Sequence, residues 1–161
     1  MKISGLVLAS LLGLTTVAHA AEERDFKFFA FGPGIIINQD AHGVAYHLAG
    51  GYFHEAMPQA GIRVQGTGDF TSDAANIGGA LGAMGFFTKG DFAPYAAGDL
   101  GWGFAYGKGW SNGFILGGSL GIQMFRASKV QLNLEGRSTV MFAENDGGFP
   151  VTMSGALGIS F

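Results

Sequence analysis

The final stretch of the chain, from Val151 to Phe161, places the strongest constraint on the fold. Every second residue in it is apolar or glycine, and the residues between are small or polar. Successive side chains of a β-strand point to opposite faces of a sheet, so the pattern predicts a strand with one apolar face. We therefore expect a β-sheet or β-barrel in which the apolar face of this strand contacts lipid or a second layer of the protein.

The beginning of the chain has the features of a secretory signal peptide. Met1 and Lys2 supply a positive start, residues 3–17 are mainly apolar, and Ala18-His19-Ala20 forms an A-x-A cleavage site. The apolar run falls short of the roughly 20 residues that a membrane-spanning helix needs, which favours a signal peptide over an anchor. We expect a cleaved signal peptide over residues 1–20 and one mature domain over residues 21–161.

The composition suits an exported β-barrel. The chain contains 29 glycines and is 48% hydrophobic, yet glycine and polar residues interrupt every later apolar run. A closed β-barrel is the strand-built fold that satisfies all backbone hydrogen bonds within lipid. The absence of cysteine removes disulfides and thiolate metal sites. The formal net charge of −3 argues against a nucleic-acid partner.

Alternating patterns divide the mature chain into eight strands separated by turn residues. They are expected at about residues 26–37, 42–53, 60–70, 76–87, 92–106, 113–125, 130–142 and 151–161. Residues 55–59, 107–112 and 126–129 are interpreted as turns, and the facing of the first strand is ambiguous. An even number of strands of this length predicts an all-β, eight-stranded antiparallel up-and-down transmembrane β-barrel.

Ionisable residues on the polar strand faces are the candidate site. Arg63, Asp99, Glu135 and Arg137 would be costly against lipid, so we expect them inside the barrel as a lumen ion-pair network. A lumen of eight strands is just wide enough for side chains to fill. The facing follows from the same alternation. The side chains of Leu132, Leu134, Leu157 and Ile159 should contact lipid, and those of Gln131, Glu135 and Arg137 should lie inside.

Aromatic residues near the strand ends predict two girdles. With both chain ends in the periplasm, the periplasmic rim would comprise Tyr52, Phe53, Phe86, Phe87, Phe92, Tyr95, Phe125 and Phe161. The outer rim would comprise Phe70, Tyr106, Trp110, Phe114, Phe142 and Phe149.

Three segments resemble the small OmpA-like and opacity-type outer-membrane β-barrel domains. These are the Pro94-Tyr95 segment with alternating glycines over residues 92–103, the hairpin of residues 117–123 and 130–137, and the closing strand that ends at Phe161. Asp99 departs from the small residue more usual at its position. The resemblance implies the barrel fold, an outer-membrane location, and a role for Phe161 in the insertion signal.

Several chemical alternatives follow from other residues. The four lumen charges could form a gate or proton path, and the barrel could be a narrow pore for ions or small solutes. His47 with Ser72, Asp73 and Glu144 supplies the residue types of a lipid A or phospholipid modifying enzyme, but no His-x-Ser pair exists. The spacing of His42, His47 and His54 puts His47 on the opposite face from the other two, so no metal site is expected. The glycines of residues 78–82 lie within a strand and lack the lysine of a phosphate-binding loop.

The favoured interpretation is a non-catalytic barrel of the cell outer membrane with a structural or interaction role. Its expected partners are outer-membrane lipids and lipopolysaccharide, and the barrel-assembly machinery during insertion. We expect a monomer without a cofactor and without a nucleic-acid partner. Outer turns of about four to seven residues disfavour an adhesin. A soluble periplasmic barrel with an apolar interior is the alternative that would invert every facing.

Overall fold

The computed structural model describes residues 24–37, 42–107, 109–143 and 149–161. It contains the eight predicted strands. Their bounds are β1 Arg24–Ile37, β2 His42–Met57, β3 Ala60–Phe70, β4 Ala75–Phe86, β5 Phe92–Tyr106, β6 Trp110–Met124, β7 Gln131–Ala143 and β8 Val151–Ser160. Two predicted breaks are wrong in extent, since β2 continues through Glu55 to Met57 and β6 already begins at Trp110.

The strands form a closed antiparallel barrel in sequence order, which confirms the predicted topology. Closure joins β1 to β8. At one end of this seam Lys27 and Phe161 exchange two backbone hydrogen bonds of 2.8 and 2.9 Å. At the other end Ile37 pairs with Val151. Because no strand edge is left open, all backbone groups of the wall can be satisfied within the sheet.

We call the end with the start of β1 and the end of β8 the proximal end. It also contains the turns at residues 58–59, 87–91 and 125–130, and the distal end contains the remaining connections. Among the described residues, no helix combines the length and apolar character needed to cross a membrane.

Apolar side chains cover the outside of the barrel, and polar side chains line the middle of the lumen between apolar clusters nearer its two ends. Leu134 and Leu157 are 53% and 49% exposed on the outer wall, whereas Gln131 and Asp99 are 0% and 1% exposed. The facing of β1 is also resolved, since Phe29 and Phe31 point outward and Phe26 points inward. An apolar outer wall is the inverse of a soluble barrel, and the predicted polar interior is present in the middle of the lumen.

Two irregularities at the proximal end redirect side chains. A register shift between His54 and Met57 marks a bulge in β2. Phe125, which follows β6, has a φ of 61°, in the left-handed region that a bulky residue rarely adopts. The strand alternation reverses there, so Phe125 is exposed and Arg126 turns into the mouth of the barrel.

The predicted girdles are only partly present. At the distal rim Tyr106, Trp110, Phe142 and Phe149 are exposed, and Tyr106 packs against Trp110 with ring centroids 5.2 Å apart. At the proximal rim the exposed members are Tyr52, Phe87, Phe92, Phe125 and Phe161. The expectation for Phe53, Phe86 and Tyr95 is wrong, because these rings lie inside the barrel at 3–5% exposure.

Candidate functional site in the barrel lumen

Arg63 and Asp99 form the centre of the lumen. The guanidinium donates from Nε to Asp99 Oδ1 at 2.8 Å and from Nη2 to Asp99 Oδ2 at 2.7 Å. Both residues are almost fully buried, at 2% and 1% exposure. Such a two-pronged pair fixes both side chains and is among the stronger charge-assisted interactions.

Glu135 and Arg137, two residues apart on β7, extend this centre. Arg63 Nη1 donates to Glu135 Oε2 at 2.8 Å, and Tyr95 donates its hydroxyl proton to the same oxygen at 2.7 Å. Arg137 Nη2 lies 3.2 Å from Asp99 Oδ2. Arg137 Nη1 also lies 3.9 Å from Glu135 Oε1. The structure thus brings together all four ionisable residues singled out in the sequence, in a closed ring of ion pairs.

Neutral polar residues complete the shell around the Arg63–Asp99 pair. Gln65 Nε2 donates to Asp99 Oδ1 at 2.9 Å, and Ser119 Oγ accepts from Arg63 Nη2 at 2.9 Å. Two nitrogens of Arg137, Nε and Nη1, are buried without a hydrogen-bond partner among the described residues. The network is therefore dense around Asp99 and less complete around Arg137.

A second buried pair, which sequence reasoning did not identify, lies beside the network. His47 Nδ1 and Asp69 Oδ1 are 2.7 Å apart, and the two residues are directly opposite on β2 and β3. The expected facing of His47 is correct, since His42 and His54 are on the outer wall and His54 contacts Asp25 there at 2.8 Å. Within the described residues no three His, Cys, Asp or Glu side chains are grouped as metal ligands would be.

The described residues among those considered for an enzyme do not assemble. His47 is buried in the lumen, whereas Ser72 and Asp73 are exposed in the β3–β4 turn. Glu144 lies outside the described residues. A lipid-modifying serine would need a histidine within hydrogen-bond reach, and among the described residues His47 contacts Asp69 but no serine.

An aromatic cluster lies in the proximal half of the lumen, and we call it the proximal plug. It consists of Phe26, Phe53, Phe86 and Tyr95 with Ala93. Phe86 packs edge-on against Phe53 and Tyr95, with ring centroids 6.0 and 5.8 Å away. These edge-to-face contacts are favourable for aromatic pairs.

Arg126 covers the proximal plug from the mouth of the barrel. Its guanidinium lies 3.9 Å from the centroid of the Phe86 ring, and its Nη2 donates to Glu55 Oε1 at 2.5 Å. It also donates to the backbone oxygens of Pro58 and Thr88. Residues 126–129 form a tight polar connection as predicted, but the sequence pattern did not indicate that Arg126 would be buried.

A small cavity lies beside the contact between the ion-pair network and the proximal plug, where Tyr95 meets Glu135. Its volume of about 50 Å³ is enough for a few water molecules, at roughly 10–15 Å³ each. Polar side chains around it, such as Gln123 and Asn133, supply hydrogen-bonding groups. A volume of this size suits water and excludes a drug-sized ligand.

The fold and the filled lumen define the class, a small eight-stranded β-barrel of the outer-membrane type. Neisserial surface protein A has a similar structure, with a TM-score of 0.73 and 12% identity over 84% of this chain and 95% of that protein. No protein-family model matches the sequence, and no curated protein matches it significantly.

Two further solved barrels share the fold. Ail, the attachment invasion locus protein of Yersinia pestis, aligns with a TM-score of 0.56 and 12% identity, over 88% of this chain and all of that one. It has also been solved with the heparin analogue sucrose octasulfate. The N-terminal barrel domain of Pseudomonas aeruginosa OprF gives a TM-score of 0.54 and 12% identity, over 87% of this chain and all of that domain. The shared architecture agrees with the resemblance to OmpA-like and opacity-type barrels.

Proposed function

We propose that this protein is an outer-membrane β-barrel with a structural or interaction role, whose lumen is closed by its own side chains. The observation that carries the proposal is the bond between Arg63 on β3 and Glu135 on β7. In a ring of eight strands these two are diametrically opposite, so the contact crosses the full width of the lumen. Water or ions would have to displace paired, buried charges to pass.

The proximal end supplies a second closure. Glu55 on β2 and Arg126 after β6 also come from opposite sides of the ring, and they meet above Phe86. Two barriers of different chemistry, one ionic and one aromatic, therefore lie in series. This arrangement favours an anchor or interaction protein over a narrow pore for ions or small solutes.

The proposed location is the outer membrane of a Gram-negative cell, reached through a cleaved signal peptide over residues 1–20. Support comes from the apolar outer wall and from the barrels that share the fold. Lipids and lipopolysaccharide would contact the apolar outer wall of the barrel. Phe161, exposed at the proximal rim, is available to the barrel-assembly machinery as part of the insertion signal.

The closed lumen is tested by planar-bilayer conductance of the purified protein. We expect no discrete channel currents from the wild type, after a heat-dependent gel shift has verified that the barrel is folded. The double variant Arg63→Ser with Arg126→Ser replaces one long, charged side chain at each barrier with a short one. It should raise the conductance because a buried charge is removed at each level. Steady currents from the wild-type barrel would contradict the closed lumen and favour the pore.

A further inference from the structure

A charged cavity opens at the proximal mouth, on the outer side of Arg126. We call it the proximal vestibule, and its volume is about 490 Å³. Its charged lining comes from four parts of the chain: Arg24 in β1, Glu55 in β2, Lys89 and Asp91 in the β4–β5 turn, and Arg126 after β6. The volume lies within the range of small-molecule pockets, roughly 300–1,000 Å³.

The acidic side chains of the vestibule already have partners. Glu55 accepts from Arg126, and Asp91 Oδ1 accepts from the backbone N–H of Ala127 at 2.7 Å. Arg24 and Lys89 make no ion pair among the described residues, and the Arg24 guanidinium lies over the Phe26 ring at 5.2 Å. Two cationic side chains thus line the vestibule without a carboxylate partner in the described part of the chain.

Arg126 adds a buried donor and further positive charge to the floor. Its Nε is buried and has no hydrogen-bond partner among the described residues. Burial lowers the pKa of the Arg126 guanidinium, the Glu55 carboxylate partly offsets this, and the positive charge of Arg24 lowers the pKa further. The charged form of Arg126 is therefore only partly compensated by the chain itself, and an added anion would stabilise it.

We propose that the proximal vestibule binds a small ligand through an oxyanion group, a carboxylate or a phosphate. Guanidinium groups match the geometry of both anions, and the ammonium group of Lys89 adds a mobile donor. The proposed outer-membrane placement, with both chain ends in the periplasm, would make this a periplasmic ligand, and that part of the inference rests on the proposed function. Binding of an anion by the purified barrel requires neither the outer-membrane placement nor a closed lumen. A failure to bind is therefore distinguishable from a failure of the proposed function.

The test is calorimetric titration of the purified full-length protein in an uncharged detergent. Three probes separate the sources of the anion: triglycine with a free carboxylate, triglycine amide, and inorganic phosphate. The variant Arg24→Gln with Lys89→Gln removes the two cations that make no ion pair in the described part of the chain. Lys129→Gln is the matched control, because Lys129 is exposed in the β6–β7 turn but does not line the vestibule.

We expect saturable binding of triglycine or of phosphate, and no binding of the amide. The double variant should weaken binding by about tenfold or more, as expected for lost charge-assisted hydrogen bonds. Lys129→Gln should leave the affinity within about twofold. Three results would overturn the site: no saturable binding of either anion, equal binding of free acid and amide, or equal weakening by Lys129→Gln, which indicates diffuse attraction.

Discussion

Arg63 and Asp99 meet across a glycine. Both face the lumen in one row of the sheet, in which Arg63 pairs with Gly82 and Gly82 pairs with Asp99. Their side chains join above Gly82 in two hydrogen bonds of 2.7 and 2.8 Å. A Cβ atom at Gly82 would overlap Asp99 Oδ1. The ion pair therefore depends on the missing side chain of the strand between its members.

Reversing the charge of one member of the Arg63–Asp99 pair should destabilise the barrel strongly. Asp99→Arg leaves three buried guanidinium groups near one carboxylate, and Arg63→Asp leaves three carboxylates near one guanidinium. We expect each change to lower the free energy of unfolding by about 3–5 kcal/mol, the usual cost of an uncompensated buried charge. The measurement is urea unfolding of the barrel in lipid vesicles.

The double variant Arg63→Asp with Asp99→Arg is the control for that prediction. It restores one opposite-charge pair across Gly82, so it should be more stable than either single variant. If the double variant loses as much stability as the two single variants summed, the pairing across Gly82 does not contribute to folding.

The glycine between the two charges gives a second prediction. Gly82→Ala should cost about 1–3 kcal/mol, because the added methyl group displaces Asp99 in a packed interior. Gly98→Ala is the matched control, since Gly98 is on the outer wall and a Cβ atom there meets nothing within 4 Å. Gly98→Ala should be neutral or stabilising by up to about 1 kcal/mol. Equal losses in thermal unfolding would show that backbone freedom, and not contact with Asp99, requires glycine.

Alternation predicted which side of the wall each lumen residue faces, but not which partner it meets. The pairing of His47 with Asp69 illustrates the limit. If the register of the Met57–Ala60 pair continued without interruption, Phe70 would lie opposite His47. The bulge after His54 shifts the register by one residue, and Asp69 lies there instead. A bulge has a weak sequence signal, so strand pattern alone could not locate this contact.

The proximal plug was missed for a related reason. Aromatic residues near strand ends are typical of a membrane girdle. The lengths and compositions of the strands do not show whether such a residue lies on the outer rim or inside the lumen. For Tyr95 the sequence does indicate the facing. Tyr95 and Asp99 are four residues apart on β5, so both side chains point to the inner face. The facing of Arg126 could not be predicted from odd and even positions along β6, because the positive φ of Phe125 reverses the alternation just before it.

Arg126 should be important for stability despite its position in a turn. Arg126→Ala removes the Glu55 pair and the contact with Phe86, and leaves the Glu55 carboxylate buried. We expect a loss of about 3 kcal/mol in urea unfolding. Lys129→Ala, an exposed cation in the same turn, should change stability by no more than about 0.5 kcal/mol. Comparable losses in the two variants would mean that the charge of the turn, and not the buried contact, is responsible.

The chain's two tryptophans provide a test of the outer wall that preserves the barrel. Trp102 and Trp110 are 48% and 73% exposed, and no other tryptophan is present. Trp102 lies four residues before the distal end of β5, whereas Trp110 is the first residue of β6 at that end. At a strand rise of about 3.3 Å and the tilt of a small barrel, Trp102 should lie about 10 Å deeper in the bilayer. Lipids brominated in the middle of the acyl chain should therefore quench the single-tryptophan variant Trp110→Phe more than Trp102→Phe. Aqueous acrylamide should give the reverse order. If neither variant is quenched by the brominated lipids, the apolar wall does not contact acyl chains, and a soluble barrel becomes the better interpretation.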